Sequence, residues 1–171
     1  MTEIMTARLR LRPLKPDDAP QIARLAGDWD IARMTALIPH PYTLADAYAF
    51  IASAAGDTYA IEREGIVVGC CGARAVSGTY EIGYWIGKPY WGDGIATEAA
   101  RALVEHLRAR EPGCAIVISH MAENDASARV IEKLGFRPTG EKRTYYLARA
   151  SEVRSLTYLY PQNDPQDAAA G

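Results

Sequence analysis

The sequence predicts an α+β fold: a mixed, mostly antiparallel sheet with one parallel strand junction and helices on both faces. Three observations predict it. Short alternating or apolar runs bounded by Gly, Pro, Asn and Asp recur along the chain, as strands do. Stretches with apolar residues at helical spacing separate them, in the order β, α, α, three strands, α, β, α, β, β. Near the middle a strand, a long helix and a second strand follow one another, and a crossover of that length joins parallel neighbours. At 171 residues, 49% hydrophobic and 23% charged, the chain suits one domain over 1–171 with its core at about 8–160.

Arg8-Leu-Arg-Leu-Arg-Pro-Leu14 alternates polar and apolar residues and reads as a half-buried strand with its arginines on the solvated face. Lys15-Pro-Asp-Asp18 starts a helix that Ile22, Leu25 and Ala26 continue. Residues 27–42 are apolar but irregular, with Trp29, Ile31, Met34, Leu37 and Ile38 before Pro39-His-Pro41. They suit a short core helix, the preferred reading, or a mobile wall of a cleft. Thr43 caps a helix through about Ala54, with Leu44, Ala47, Tyr48 and Ile51 on its buried side. Thr58–Glu62 and Ile66–Ala75 form a hairpin around Arg63-Glu-Gly65. Ser77-Gly78 then turns into a third antiparallel neighbour.

Tyr80–Ile86 is that central strand, rich in aromatic and β-branched residues and ended by Gly87 and Pro89. Gly92 and Gly94 turn the chain into a helix carrying Ile95, Ala99, Leu103 and Leu107 on one face. Open N–H groups at such a helix start, with the positive end of its dipole, suit a phosphate or pyrophosphate. An ordinary tight connection explains two glycines equally well. Glu111-Pro-Gly113 stops the helix, and Cys114–Ser119 is the parallel strand. Asn124–Ser127 opens a short helix that ends at a left-handed Gly135, with Phe136 folded back onto Ile131. Thr139–Leu147 and Val153–Tyr160 complete the sheet, and the tail from Pro161 has little to bury. The last strand, with Leu156, Tyr158 and Tyr160, offers an exposed edge for a homodimer.

A net charge of −2 gives no pull towards nucleic acid or acidic membranes, and no apolar run reaches bilayer length. The first residues lack the basic and apolar regions of a signal peptide, so a cytoplasmic protein is expected, without nucleic-acid or membrane partners. Cys70, Cys71 and Cys114 have neither disulfide nor metal-ligand spacing and are expected as reduced core residues, with no metal. His40, between prolines in the 27–42 wall, reads as a turn residue, and His106 and His120 show no partner in the sequence.

Two longer stretches carry a resemblance. Glu81-Ile-Gly-Tyr-Trp-Ile-Gly-Lys-Pro-Tyr-Trp-Gly-Asp-Gly-Ile-Ala-Thr-Glu-Ala99 resembles the acetyl-coenzyme A motif of GNAT N-acetyltransferases. Asn124-Asp-Ala-Ser-Ala-Arg-Val-Ile-Glu-Lys-Leu-Gly-Phe136 resembles their second cofactor motif, and residues 8–14 are similar to the opening of the RimJ/RimL-like branch, which acetylates protein N-termini and related amines. The resemblance covers roughly residues 8 to 160 and implies a GNAT fold that uses acetyl-CoA (coenzyme A) and an amine acceptor. It implies that backbone amides of Trp91, Gly92, Asp93, Gly94, Ile95, Ala96 and Thr97 hold the pyrophosphate. Trp91 stands where the family usually has Arg or Gln, which removes a side-chain contact but leaves the amides. Tyr84, Trp85 and Ile86 would pair their backbone with the pantetheine arm, and Asn124 would hydrogen-bond it. Ser127 matches a position proposed to orient or protonate the departing thiol.

In this chemistry an amine attacks the thioester directly. The protein must position two reactants, stabilise an oxyanion, take one proton and return another to a thiolate. A backbone N–H near Ile86 is the expected oxyanion donor. Glu81 is the expected base, on the strand face of Gly83 and Trp85; a charged residue at a strand start is the competing reading. Tyr145 and Tyr146 are alternative acids, though packing and surface roles suit them better. Asp28, Asp30 and Asp46, near the 27–42 wall, are carboxylates that would suit a basic acceptor, with solvated loop charges as the alternative. Two other functions share these features. A dinucleotide-binding oxidoreductase has the strand, Gly92-x-Gly94 and helix, but Thr97 stands where its third glycine belongs. A GNAT-like module that senses acyl-CoA without catalysis needs the same cofactor motifs.

Overall fold

The computed structural model describes residues 2–162, so the tail expected after Pro161 lies almost wholly outside the described residues. In chain order the elements are β1 (Ile4–Met5), β2 (Arg10–Pro13), α1 (Ala19–Ala26), α2 (Trp29–Ala32), α3 (Leu44–Ser53), β3 (Asp57–Arg63), β4 (Ile66–Val76) and β5 (Thr79–Ile86). Then follow α4 (Ile95–Arg110), β6 (Ala115–Met121), α5 (Asp125–Lys133), β7 (Arg137–Tyr146) and β8 (Ser151–Leu159). The strands form one sheet in the order β1-β2-β3-β4-β5-β6-β8-β7. Only β5 and β6 run parallel, and all other neighbours are antiparallel.

Local chemistry sets the boundaries. Glu64-Gly65 and Ser77-Gly78 take φ of 52°, 79°, 50° and 80°, the left-handed pairs whose twist matches that of flanking strands. At the start of α3, the Thr43 hydroxyl accepts from the Asp46 N–H at 3.2 Å, and the Asp46 carboxylate accepts from the Thr43 N–H at 2.7 Å. At the end of α5, Phe136 N–H donates to the Ile131 carbonyl at 3.3 Å and Gly135 N–H to that of Glu132 at 2.9 Å.

Helices α4 and α5 bury Ile95, Leu103, Leu107 and Ile131 against Leu11, Ile61, Ile82 and Ile118 on one sheet face. On the other, Ile22 of α1 and Ala47 of α3 cover Ala60, Val67 and Cys70. Cys70 and Cys71 are core residues, and burial pushes the Cys71 thiol up to about 12.

Three expectations change. Leu44 and Tyr48 are half exposed, and α3 packs through Ala47, Phe50 and Ile51. Apolar residues occur around most of that helix, so periodicity alone does not choose its buried face. The last strand, β8, is not an edge: it lies between β6 and β7, and Tyr158 and Tyr160 pack towards α4 and α5. That removes the exposed final strand as a basis for a homodimer. The long outer edge is β7, whose Pro138, bulge and charges Arg137, Glu141, Lys142 and Arg143 discourage pairing. The three arginines of 8–12 do not share one solvated face. Arg12 is buried and clamps Asp18 with two bonds of 2.8 and 2.9 Å, Arg10 pairs with Glu3, and Arg8 reaches α4. Finally, β1, two residues long, carries too little pattern to be read from sequence.

Candidate active site

The parallel pairing of β5 with β6 covers only Thr79–Ile82 against Ala115–Ile118. Beyond it the strands separate. Gly87 N–H donates to the Val68 carbonyl at 2.8 Å, which fixes the alternation along β5: odd residues bond β4, and even ones face β6. Tyr84 and Ile86 therefore turn their N–H and C=O groups into the gap, without a strand partner among the described residues. The Ile86 carbonyl is taken by the Trp91 indole N–H at 2.6 Å.

Past the gap, Lys88–Tyr90 makes one 3-10 turn, and Gly92 and Gly94 adopt φ of 81° and 74°. Gly94 is the N-cap of α4 and has no side chain to satisfy the first-turn donors. The N–H groups of Ile95, Ala96 and Thr97 are left open, and the first helical bond is Glu98 N–H to the Gly94 carbonyl at 3.0 Å. Trp91 to Gly94 are solvent-exposed. Two arginines unread as site residues stand around this loop. Arg8 donates to the Asp93 carbonyl at 2.9 Å and pairs with Glu98 at 2.7 Å, and Arg63 pairs with the Asp93 carboxylate. The Arg63 guanidinium holds Asp93 below the usual carboxylate range. Burial pushes Glu98 up, but bonds from Thr6 and Arg8 outweigh it, so it too stays ionised and compensated. Arg8 arrives from the bend before β2 and Arg63 from the end of β3, both distant in the chain from the loop they brace.

The far lip is the start of α5. The Asn124 side-chain oxygen accepts from the Ser127 N–H at 3.1 Å, so Asn124 is the N-cap, while its amide NH2 has no partner among the described residues. The Ser127 hydroxyl lies 2.9 Å from the Tyr84 hydroxyl, which spans from β5 to α5. Burial pushes the Tyr84 phenol up to about 12, partly offset by the Ser127 bond. It is protonated throughout the neutral range. The sequence points only to the Tyr84 backbone; the place of its hydroxyl follows from β5 and α5 lying side by side.

Glu81, Gly83 and Trp85 lie on the opposite face. A Cβ built at Gly83 meets nothing within 4 Å, so a hollow opens between Glu81 and Trp85. Trp85 packs with Ile31, Ala32, Ile38 and Ala148, and Leu147 N–H donates to the Ala36 carbonyl at 3.0 Å, so the β7–β8 turn closes over this side. Glu81 sits where β5 still pairs with β6, held by Arg74 at 2.7 Å and Lys142 at 3.3 Å. Burial raises its pKa, but the two cations win and the net shift is downward. The three aspartates are all engaged. Asp28 caps α2, accepting from Asp30 N–H at 2.8 Å; Asp30 pairs with Lys88 at 2.7 Å and Arg33 at 3.0 Å; Asp46 closes the α3 cap. Among the described residues, each of the three is thus already engaged by a cation or a backbone amide. Tyr145 is exposed and Tyr146 is buried on Ser155 at 3.2 Å. His120, expected without a partner, bonds the Met121 carbonyl at 2.7 Å and the Tyr158 hydroxyl at 3.0 Å.

A split between parallel strands, beside a glycine loop that opens the N-terminus of a helix, defines the acetyltransferase fold of the GNAT class. Residues 8–137 match the family model described as "Acetyltransferase (GNAT) domain", and the chain belongs to that family. It is 24% identical over 160 residues to the "Uncharacterized N-acetyltransferase p20" of Bacillus licheniformis, spanning 87% of this chain and 90% of that one. A GNAT-family acetyltransferase from Bacillus anthracis superposes with a TM-score of 0.84 at 24% identity, over 95% of this chain and all of that one (100%). The ribosomal L7/L12 α-N-protein acetyltransferase RimL, solved with coenzyme A, gives 0.81 at 17% identity over 95% and 99%. At such identities the structural likeness concerns the fold. No described helix is long and apolar enough to cross a membrane.

Proposed function

We propose that the chain is a cytoplasmic, single-domain N-acetyltransferase that passes the acetyl group of acetyl-CoA to a primary amine by direct attack in a ternary complex. The observation that carries this reading is the gap after Ile82. The N–H and C=O of Tyr84 and the N–H of Ile86 line it, and it runs into the open N–H groups of Ile95 to Thr97. An extended amide-containing arm fits the first part by strand-like pairing, and a pyrophosphate fits the second. When bound, acetyl-CoA supplies an acyl group already activated as a thioester.

The chain's own residues divide the remaining work. Ile86 N–H points into the gap and donates to a carbonyl oxygen as charge develops there. The Asn124 amide donates to the arm. Ser127, backed by the protonated Tyr84 hydroxyl, delivers a proton to the leaving sulfur. Glu81, on the acceptor side, is held ionised by Arg74 and Lys142, and serves better to fix a water that carries off the amine proton than as a strong base itself. The resemblance of residues 8–14 to the opening of the RimJ/RimL-like branch supports a place in that branch.

Calorimetric titration with acetyl-CoA, with NAD as comparison ligand, tests the cofactor, and acetyl-CoA-dependent thiol release with peptide N-termini and small amines tests transfer. Binding of acetyl-CoA but not NAD, with thiol release, is the expected result. Binding without release to any amine would leave an acyl-CoA sensor, and binding of neither would overturn the reading.

A further inference from the structure

On the acceptor side the ring of Trp29, half exposed, stands over a cavity of about 550 Å³ that it lines together with Asp30, Arg33, Ala148, Arg149 and Ser151. Its position follows from the packing already described: Ala148 and the α2 residues Ile31 and Ala32 rest on Trp85, at the open end of β5. Arg149 Nε donates to the Arg33 carbonyl at 3.0 Å, tying the β7–β8 turn to the end of α2.

The charge in this cavity does not cancel. Asp30 is its one carboxylate, already shared between Lys88 and Arg33. Arg33 uses only Nε there, at 3.0 Å, and its outer nitrogens make no other hydrogen bond among the described residues. The outer nitrogen of Arg149 lies 3.9 Å from Glu123, beyond hydrogen-bond distance, and that carboxylate is 73% exposed. Arg33 and Arg149 thus both line a cavity whose one carboxylate is already compensated and whose one aromatic residue is Trp29. Forked donors of this kind bind carboxylate or phosphate oxygens in pairs.

We infer that the amine acceptor carries an anionic group, carboxylate or phosphate, which Arg33 and Arg149 bind while its amine faces the β5 opening and a flat or apolar portion rests on Trp29. This rests on the transferase reading above. It selects acidic acceptors such as amino acids, peptides presenting a nearby carboxylate, or amino phosphates, over polyamines and other cationic amines.

The test compares amines that differ chiefly in the anion, with kcat/KM referred to the unprotonated amine of each: phenylalanine with phenylalaninamide, and O-phosphoethanolamine with ethanolamine. Thiol release should favour the acidic member of at least one pair about tenfold or more in kcat/KM, the size expected for a charge-assisted pair, and the pair that responds separates carboxylate from phosphate. Arg33→Gln should erase most of that preference through KM. It is the chosen variant because Asp30 keeps Lys88, whereas Arg149 also anchors the turn, and an unchanged melting temperature certifies its fold. The acetylated products of the same four amines, titrated calorimetrically into the CoA-bound protein, give a readout that needs no turnover. Equal use of both members, or a preference for the neutral one, overturns the anion site and leaves acetyl transfer standing. Absence of transfer to any amine overturns the transferase reading, and the titration then decides the anion site: tighter binding of the acidic products supports it, and equal binding overturns it.

Discussion

Asn124 has two separable duties, and substitution can pull them apart. Its side-chain oxygen caps α5 through the Ser127 N–H, and its amide NH2, which has no partner among the described residues, is proposed to meet the cofactor arm. Asn124→Ala removes both. Losing a cap costs about 1 kcal/mol, which lowers the melting temperature of a chain this long by about 2–4 °C. Losing one neutral hydrogen bond to the cofactor costs about 0.5–1.5 kcal/mol, or a roughly two- to tenfold rise in Kd for acetyl-CoA. Asn124→Ser restores a good cap but not the amide donor. Its melting temperature should return to within about 1 °C of the parent while Kd remains raised. Thermal unfolding and calorimetric titration of both variants decide the matter. If serine melts as low as alanine, the cap is not what Asn124 contributes. If neither variant changes Kd, the amide does not meet the arm, and the second cofactor motif has been assigned wrongly.

Tyr84→Phe should lower kcat about tenfold or more with Kd for acetyl-CoA nearly unchanged, and Ser127→Ala should do the same. Because the two hydroxyls act as one unit, the double variant should be no slower than the worse single one; additive losses in single-turnover assays would refute the pairing. Gly94→Ala should cost about 1–2 kcal/mol from its φ of 74° alone, since the added Cβ makes only an ordinary contact with the Arg8 side chain at 3.6 Å, and should weaken acetyl-CoA binding if the pyrophosphate approaches the loop there. A variant as stable as the parent would show that the loop relaxes. Asp57 is held below the usual carboxylate range by the Arg110 guanidinium, which bonds both its oxygens at 2.6 Å. Its contribution is therefore complete above the unfolded value of about 3.9 and fades as pH falls through the folded one. Asp57→Asn should be less stable than the parent at pH 7, with the difference shrinking below about pH 4 in denaturant titrations; a constant difference would rule this ion pair out as a source of acid sensitivity.

What the sequence disclosed follows from the range over which each signal acts. The turns at Gly65 and Gly78, the Thr43 cap, the ending at Gly135 and the loop at Gly92 and Gly94 are decided by a few adjacent residues, and each stands where the chain's punctuation put it. The parallel junction was legible too, because a strand, a helix and a strand of those lengths leave little choice. Contacts made across the fold were not. The arginines of 8–12 look alike in the alternating strand, yet one is buried on Asp18, one pairs with Glu3 and one braces the helix behind the glycine loop. The Tyr84 hydroxyl meets Ser127 only because two elements far apart in the chain face one another. Likewise, the aspartates of 28–46 read as available charge until Lys88 and Arg33 are brought to Asp30 and backbone amides to the other two.

The gap after Ile82 is, in another respect, an unpaired β-edge enclosed within a sheet. Exposed edges invite a further strand from any passing chain, and the risk grows with their length and flatness. Here the edge is kept short from both ends. Below, Thr79–Ile82 are zipped to β6, and above, the Trp91 indole occupies the carbonyl of Ile86. The rungs that remain are the two polar groups of Tyr84 and the N–H of Ile86, enough for an amide-bearing arm but too few to register a strand. The Trp91 indole thus acts as a stopper on the polypeptide's own edge: it removes one acceptor from the row that a further strand would need.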